Sequence, residues 1–260
     1  MDTKELLKKA EYDFLKSNNN LGSNIALLCF GGSYAYGTNI ESSDIDIRGI
    51  AVSTKKDILL NRDFDSIQDK NTDTVIYSLK KFVTLASKGN PNALEFLFNK
   101  EYIYLNEVGK MLVDNRQLFL SQKCYESYLG YIFSLYHNIN NDIQNKKYDK
   151  LDKCAMHIVR LYGCVIDILE NGDFSTYREK DHELLMDIRK GKYTTETDFS
   201  EELSNITNDL RRKAELAFKN TYLPVAPNYE QIEDLVYKTN EKIVLGDKTK
   251  EKIKNLIAER

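Results

Sequence analysis

The chain has 260 residues, of which 42% are hydrophobic and 30% charged, with a net charge of −3. That is ordinary for a globular protein and enough for one large domain or two small ones. The charge is spread evenly, with no basic tail or basic half, which argues against a tight, sequence-indifferent nucleic-acid binder. No apolar run reaches the length of a membrane span, so no membrane partner is expected. The start, "MDTKELLKKAEYDFLKS", is charged and amphipathic and lacks the apolar segment of a signal peptide, so a cytoplasmic location is the expectation.

Helical periodicity through Leu6, Leu7, Ala10, Phe14 and Leu15 predicts a helix over 3–16, broken by "SNNNLGSN". "IALLCF" (25–30) is a short apolar run bounded by Asn and Gly and reads as a buried strand. "DIDIRGIAVS" (44–53) alternates and then turns apolar, a second strand. "TDTVIYS" (72–78) is a third, while the polar stretch around 63–69 reads as a loop. From Leu79 onward helices are predicted over 79–88, 92–99, 106–120, 123–145, 150–171, 181–190, 200–220, 229–243 and 247–258. "TYLPVAPNYE" (221–230), with two of the three prolines, reads as an extended link. The fold class is α+β, with an N-terminal α+β unit over 1–120 and a helical unit over 121–260.

The four cysteines are scattered without a C-x-x-C pair, and only three histidines are present. Buried free thiols and no histidine-based metal site follow. The chemistry concentrates in "GGSYAYGTNIESSDIDIRG" (31–49). On a strand, Asp44 and Asp46 would share one face. Two neighbouring carboxylates stay ionised only with a cation between them. Hard oxygen ligands without histidine or thiolate favour Mg²⁺ or Mn²⁺. The Gly-Gly-Ser turn offers backbone N–H groups and a hydroxyl to phosphate oxygens. Walker A and G-x-G-x-x-G patterns are absent. The competing reading is a surface hairpin with solvated aspartates.

The string Gly32-Ser33, then Ala35, Gly37, Ser43, Asp44, Asp46, Arg48 and Ile50 resembles the signature of the DNA polymerase β-like nucleotidyltransferase superfamily. The closer likeness is to a bacterial and phage branch of predicted nucleotidyltransferases, some of whose members are associated with RNA-ligase repair operons. The likeness runs over roughly 25–240, and it departs at Tyr34, where the branch is associated with a basic or polar residue. It implies a small mixed sheet with flanking helices and a two-metal site that moves an NMP from an NTP to a hydroxyl and releases pyrophosphate. The acceptor would be an RNA 3′ end, with a protein side chain, a small molecule or a silent nucleotide-binding protein as alternatives.

The resemblance also implies that Gly32 and Ser33 hold phosphates, that Asp44 and Asp46 hold Mg²⁺ (or Mn²⁺), and that a third carboxylate lies on a later strand. Asp73 opens the only other good strand of the N-terminal half and is the expected residue, with Asp63, Asp65 and Asp69 as rivals. Lys153, His157, Arg160 and Cys164 share one face of the helix at 150–171. A solvated face is one reading. The resemblance implies another, in which Lys153 and Arg160 grip the triphosphate.

Overall fold

The computed structural model describes residues 6–195 and 197–246. Five strands form one mixed sheet in the order β3-β4-β2-β1-β5. They are β1 (Ile25–Phe30), β2 (Ile47–Ala51), β3 (Ser66–Asp69), β4 (Thr74–Ser78) and β5 (Tyr102–Leu105). Strands β2 and β4 run parallel, and the other neighbours are antiparallel. The α+β class, a mixed sheet followed by a mostly helical region, is therefore the observed one.

The helices are α1 (Phe14–Ser17), α2 (Gly32–Tyr36), α3 (Lys55–Leu59), α4 (Leu79–Ala86), α5 (Pro91–Leu97), α6 (Glu107–Asp114), α7 (Lys123–Gln144), α8 (Leu151–Asn171), α9 (His182–Arg189), α10 (Glu201–Asn220) and α11 (Tyr229–Leu245). Many start on a side-chain cap that satisfies an otherwise unpaired N–H. Ser78 caps α4, Asn90 caps α5 with Pro91 behind it, and Asn106, Ser200 and Asn228 cap α6, α10 and α11. The expected helix over 106–120 ends at Asp114 and continues as a 3₁₀ turn over Arg116–Phe119. The expected helix over 247–258 lies outside the described residues.

Three readings change. The expected helix over 3–16 is, in its described part, a 3₁₀ turn at Ala10–Tyr12 and the short α1, interrupted where Lys9 is extended. The breaks let Leu6, Tyr12, Leu15 and Leu21 all reach one sheet face, against Leu28, Ile47, Ala51 and Ile76, which a single straight stripe would not allow. β2 begins at Ile47 rather than Asp44, and β4 at Thr74 rather than Asp73, so the aspartates sit on the entry loops. β3 and β5 are additional edge strands. β3 is polar and held by pairing with β4, and β5 by pairing with β1.

The other sheet face, with Leu27, Cys29 and Ile50, opens a core that continues through Phe82, Leu94 and Phe96 into Tyr128 and Ile132 of α7 and Ile158, Leu161 and Val165 of α8. Helix α8 is packed by α7, α9 and α10. It is buried over both stripes, including Ala155, Ile158, Val165 and Ile168 on one and Arg160 and Cys164 on the other. Among the described residues, no helix is long and apolar enough to cross a membrane.

Candidate active site

The parallel register matches Ile47 with Thr74. The residues just before them, Asp46 and Asp73, therefore stand side by side at the entry to the two central strands. The Ile47 N–H donates to the Asp73 carbonyl at 3.3 Å. Asp73 turns into β4 through a left-handed backbone, φ +42°, a conformation that aspartate tolerates better than most side chains.

Beside this pair lies the glycine turn after β1. The Gly31 N–H donates to the Asp46 carbonyl at 2.9 Å. Gly32 has φ +51°, and a Cβ there would stand 1.8 Å from Asp46 Oδ2. Glycine is required twice over, by the backbone angle and by the carboxylate lying against its Cα. Ser33 follows, half-buried, in the first turn of α2.

Arg48 spans the two carboxylates. Its Nη2 donates to Asp46 Oδ1 at 3.3 Å and to Asp73 Oδ1 at 3.2 Å. Its Nη1 is anchored on the carbonyls of Ile47, at 3.0 Å, and Asp73. Burial pushes the Asp46 carboxyl up to about 6, reinforced by its hydrogen bond to Asp73. Arg48 opposes the rise, the Asp73 charge adds to it, and Lys153 opposes it more weakly. Asp73 is held below the usual carboxylate range, chiefly by that hydrogen bond from Asp46. With both carboxylates ionised, the single Arg48 guanidinium between them leaves one negative charge uncompensated.

Asp44 is exposed on the loop, outside the Asp46–Asp73 contact. Among the described residues, no group of three or more acidic, histidine or cysteine side chains is gathered around one point. The oxygen-only pair Asp46 and Asp73 has the donor chemistry for a hard divalent cation. The rival aspartates are engaged elsewhere: Asp63 accepts from Ser53 Oγ at 2.9 Å, Asp65 pairs with Lys81 at 3.1 Å, and Asp69 accepts from Thr72.

Helix α8 turns Arg160 and His157 of its polar stripe towards this region, while Lys153 stays in water. Lys153 is exposed at the start of α8, near enough for its charge to act on both Asp46 and Asp73. Arg160 is 2% exposed. Its Nη1 donates to Glu95 Oε1 at 2.7 Å, and its guanidinium lies 3.5 Å from the centroid of Tyr36. The Tyr36 hydroxyl donates to Glu95 Oε2 at 2.8 Å. His157 meets the Tyr36 ring edge-on at 5.5 Å. Burial, together with the charges of Arg160, Lys153 and Arg189, lowers His157 to about 3, so it is neutral at physiological pH.

Neither sequence reading of this helix face, solvated or triphosphate-gripping, included a buried Arg160 joined to Glu95. The motif contained Arg48 and the sequence reading placed Tyr36 beside the glycine turn, but neither had been given these partners. Glu95 had no role at all, although a lone carboxylate inside the apolar run "ALEFLF" needs a buried partner.

The profile of the RNA repair pathway DNA polymerase beta family matches residues 7–237. An "Uncharacterized 38.9 kDa protein in nrdC-mobD intergenic region" of Enterobacteria phage T4 is 35% identical over 116 residues, covering 39% of this chain and 34% of that protein. The matched part thus spans about a third of that relative's length. Because the family match takes in the glycine turn, both carboxylates and α8, this chain belongs to the RNA repair pathway DNA polymerase beta family.

Proposed function

We propose that the protein transfers a nucleoside monophosphate from an NTP to a hydroxyl acceptor, an RNA 3′ end, and releases pyrophosphate. The observation that carries this reading is the Asp46–Asp73 pair at the entry of two parallel strands, beside the Gly31–Ser33 turn. Family membership supports the same reaction class.

Gly32 and Ser33 offer backbone N–H groups and a hydroxyl to the β- and γ-phosphates, and Lys153 faces them from α8. The acceptor oxygen bonds to the α-phosphorus as the bond to the β-bridging oxygen breaks. Asp73, the more exposed carboxylate of the pair, orients the acceptor hydroxyl and draws off its proton. Asp46 and Asp73, with Asp44 nearby in the chain, would hold Mg²⁺ or Mn²⁺, which supplies charge stabilisation to the entering and leaving oxygens. Arg160 supports the phosphate turn through Tyr36 and does not itself touch phosphate.

The test is incubation with each α-labelled NTP, Mg²⁺ or Mn²⁺, and RNA with a free 3′ hydroxyl. Label is expected on RNA with pyrophosphate released. Undiminished transfer in Asp46→Ala, or in excess chelator, refutes the assignment.

A further inference from the structure

The helical-side face of the sheet is sealed at Leu27, Cys29 and Ile50 but not at Arg48, Val75 and Tyr77, which remain partly open. These residues floor a cavity of about 310 Å³, at the small end of the range of roughly 300–1,000 Å³ typical of ligand sites. One wall comes from α5 and the residues after it, where Asn92 and Asn99 are two turns apart and both line the space. Tyr131 of α7 stands at the edge, 37% exposed. Tyr77 is itself backed by Phe96, with ring centroids 5.4 Å apart and planes 14° from parallel, so its ring is held in a fixed orientation.

We propose that this cavity receives the base of a nucleotide whose phosphate lies at the Asp46–Asp73 pair. The inference rests on the proposed transfer reaction and extends it to a second contact. Three observations carry it. The walls are aromatic, and every base has a face that stacks on an aromatic ring. The polar lining places two amides beside Arg48 and Glu95: Asn99 donates one N–H to the Phe30 carbonyl at 2.8 Å, and Asn92 is exposed. An amide presents a donor and an acceptor together, as the edge of a base requires. Finally, Arg48 is shared between the cavity floor and the carboxylate pair, so a group in the cavity is continuous with the reacting centre.

The base belongs either to the donor NTP or to the acceptor strand, and binding measurements separate the two. Wild type, Tyr131→Ala, Tyr131→Phe and Asn92→Ala would be titrated with each of the four NTPs in non-hydrolysable form, with short oligoribonucleotides ending in each of the four bases, and with inorganic tripolyphosphate, all in Mg²⁺. Both positions are exposed, and retained melting temperatures verify that the variants are folded. Tyr131→Ala is expected to weaken one of the two base-bearing ligands by about tenfold, with Tyr131→Phe near wild type. Asn92→Ala is expected to narrow the differences among the four bases of that ligand. Tripolyphosphate should bind all four proteins equally.

A loss for the NTP assigns the cavity to the donor base, and a loss for the oligoribonucleotide assigns it to the acceptor. Equal affinity of all proteins for both ligands overturns the cavity proposal while leaving the transfer reaction standing. Failure of wild type to bind NTP or tripolyphosphate removes the transfer reaction, and the cavity proposal with it.

Discussion

Arg160 separates two accounts of helix α8. If it grips triphosphate, its loss weakens nucleotide binding and leaves the fold alone. The structure instead places it 2% exposed between Glu95 and Tyr36. Arg160→Ala would strand the Glu95 carboxylate without its cation. Removing one partner of a buried ion pair costs about 3–5 kcal/mol. In a chain of this size each kcal/mol moves the melting temperature by about 2–4 °C, so a fall of about 6–20 °C is expected.

Arg160→Lys keeps the charge but loses the planar fork and the stacked contact with Tyr36, so an intermediate loss is expected. Arg160→Met combined with Glu95→Leu and Tyr36→Phe removes both charges together with the hydroxyl that donates to the carboxylate. It should recover most of the single-variant loss, because a well-packed apolar pair substitutes for a buried ion pair at little cost. The assay is thermal and urea unfolding of the four proteins, beside titration of a non-hydrolysable NTP. A melting temperature for Arg160→Ala within a degree or two of wild type, together with about tenfold weaker NTP binding, would refute this reasoning and restore direct phosphate contact.

Further outcomes follow from the same geometry. Asp46→Ala should lower turnover by about a thousandfold, the equivalent of ~4 kcal/mol of transition-state stabilisation, with the melting temperature retained. Asp73→Asn should cut turnover while leaving NTP affinity, read by titration, within a few fold. Gly32→Ala drives a Cβ into Asp46 Oδ2 at a left-handed backbone angle, so turnover should fall steeply and the melting temperature modestly. Lys153→Ala should weaken tripolyphosphate binding by about tenfold without moving the melting temperature, since the side chain is exposed. His157 has its folded value depressed to about 3 from an ordinary 6.5. Its contribution is therefore whole above 6.5 and is lost as pH falls towards 3, by at most about 1.4 kcal/mol per pH unit. In urea unfolding across that window His157→Phe should show a flatter profile than wild type.

The glycine turn was legible because every feature of it is local, whereas the reading of Asp44 and Asp46 as one strand face was not met, since Asp44 is exposed on the entry loop outside the Asp46–Asp73 contact. The turn needs glycine at Gly32, and the two aspartates lie within fifteen residues of it in the chain. The approach of Asp73 to Asp46 was half legible. Strand periodicity found β4, beginning it two residues early, but only parallel pairing with β2 brings the two carboxylates together. β3 and β5 were not legible, since edge strands are specified by the neighbour's unpaired backbone as much as by their own side chains. The helix expected over 3–16 failed for a related reason. Its apolar spacing was helical, but the sheet face that it covers required Tyr12 and Leu21 as well.

The charged stripe on α8 shows what periodicity leaves out. A Lys-His-Arg-Cys face beside an apolar one ordinarily means water on the polar side. Here another part of the protein occupies that side, and the polar residues are sorted by what meets them: Lys153 remains exposed near the carboxylates, while His157 and Arg160 meet Tyr36. A stricter physical reading would have paired two oddities. Arg160 is the lone charge in "HIVRLYGCVI", and Glu95 is the lone charge in "NALEFLF". Either alone would be costly in a core, whereas together they form an ion pair through Arg160 Nη1, and the hydroxyl of Tyr36 adds a second partner for the carboxylate, although Arg160 Nε is buried without a hydrogen bond. The same logic makes the like-charged pair the more informative one. Asp46 and Asp73 are brought together by backbone pairing and countered within the chain chiefly by Arg48. Nothing in core packing requires that adjacency, and the divalent cation proposed between the two carboxylates would account for it.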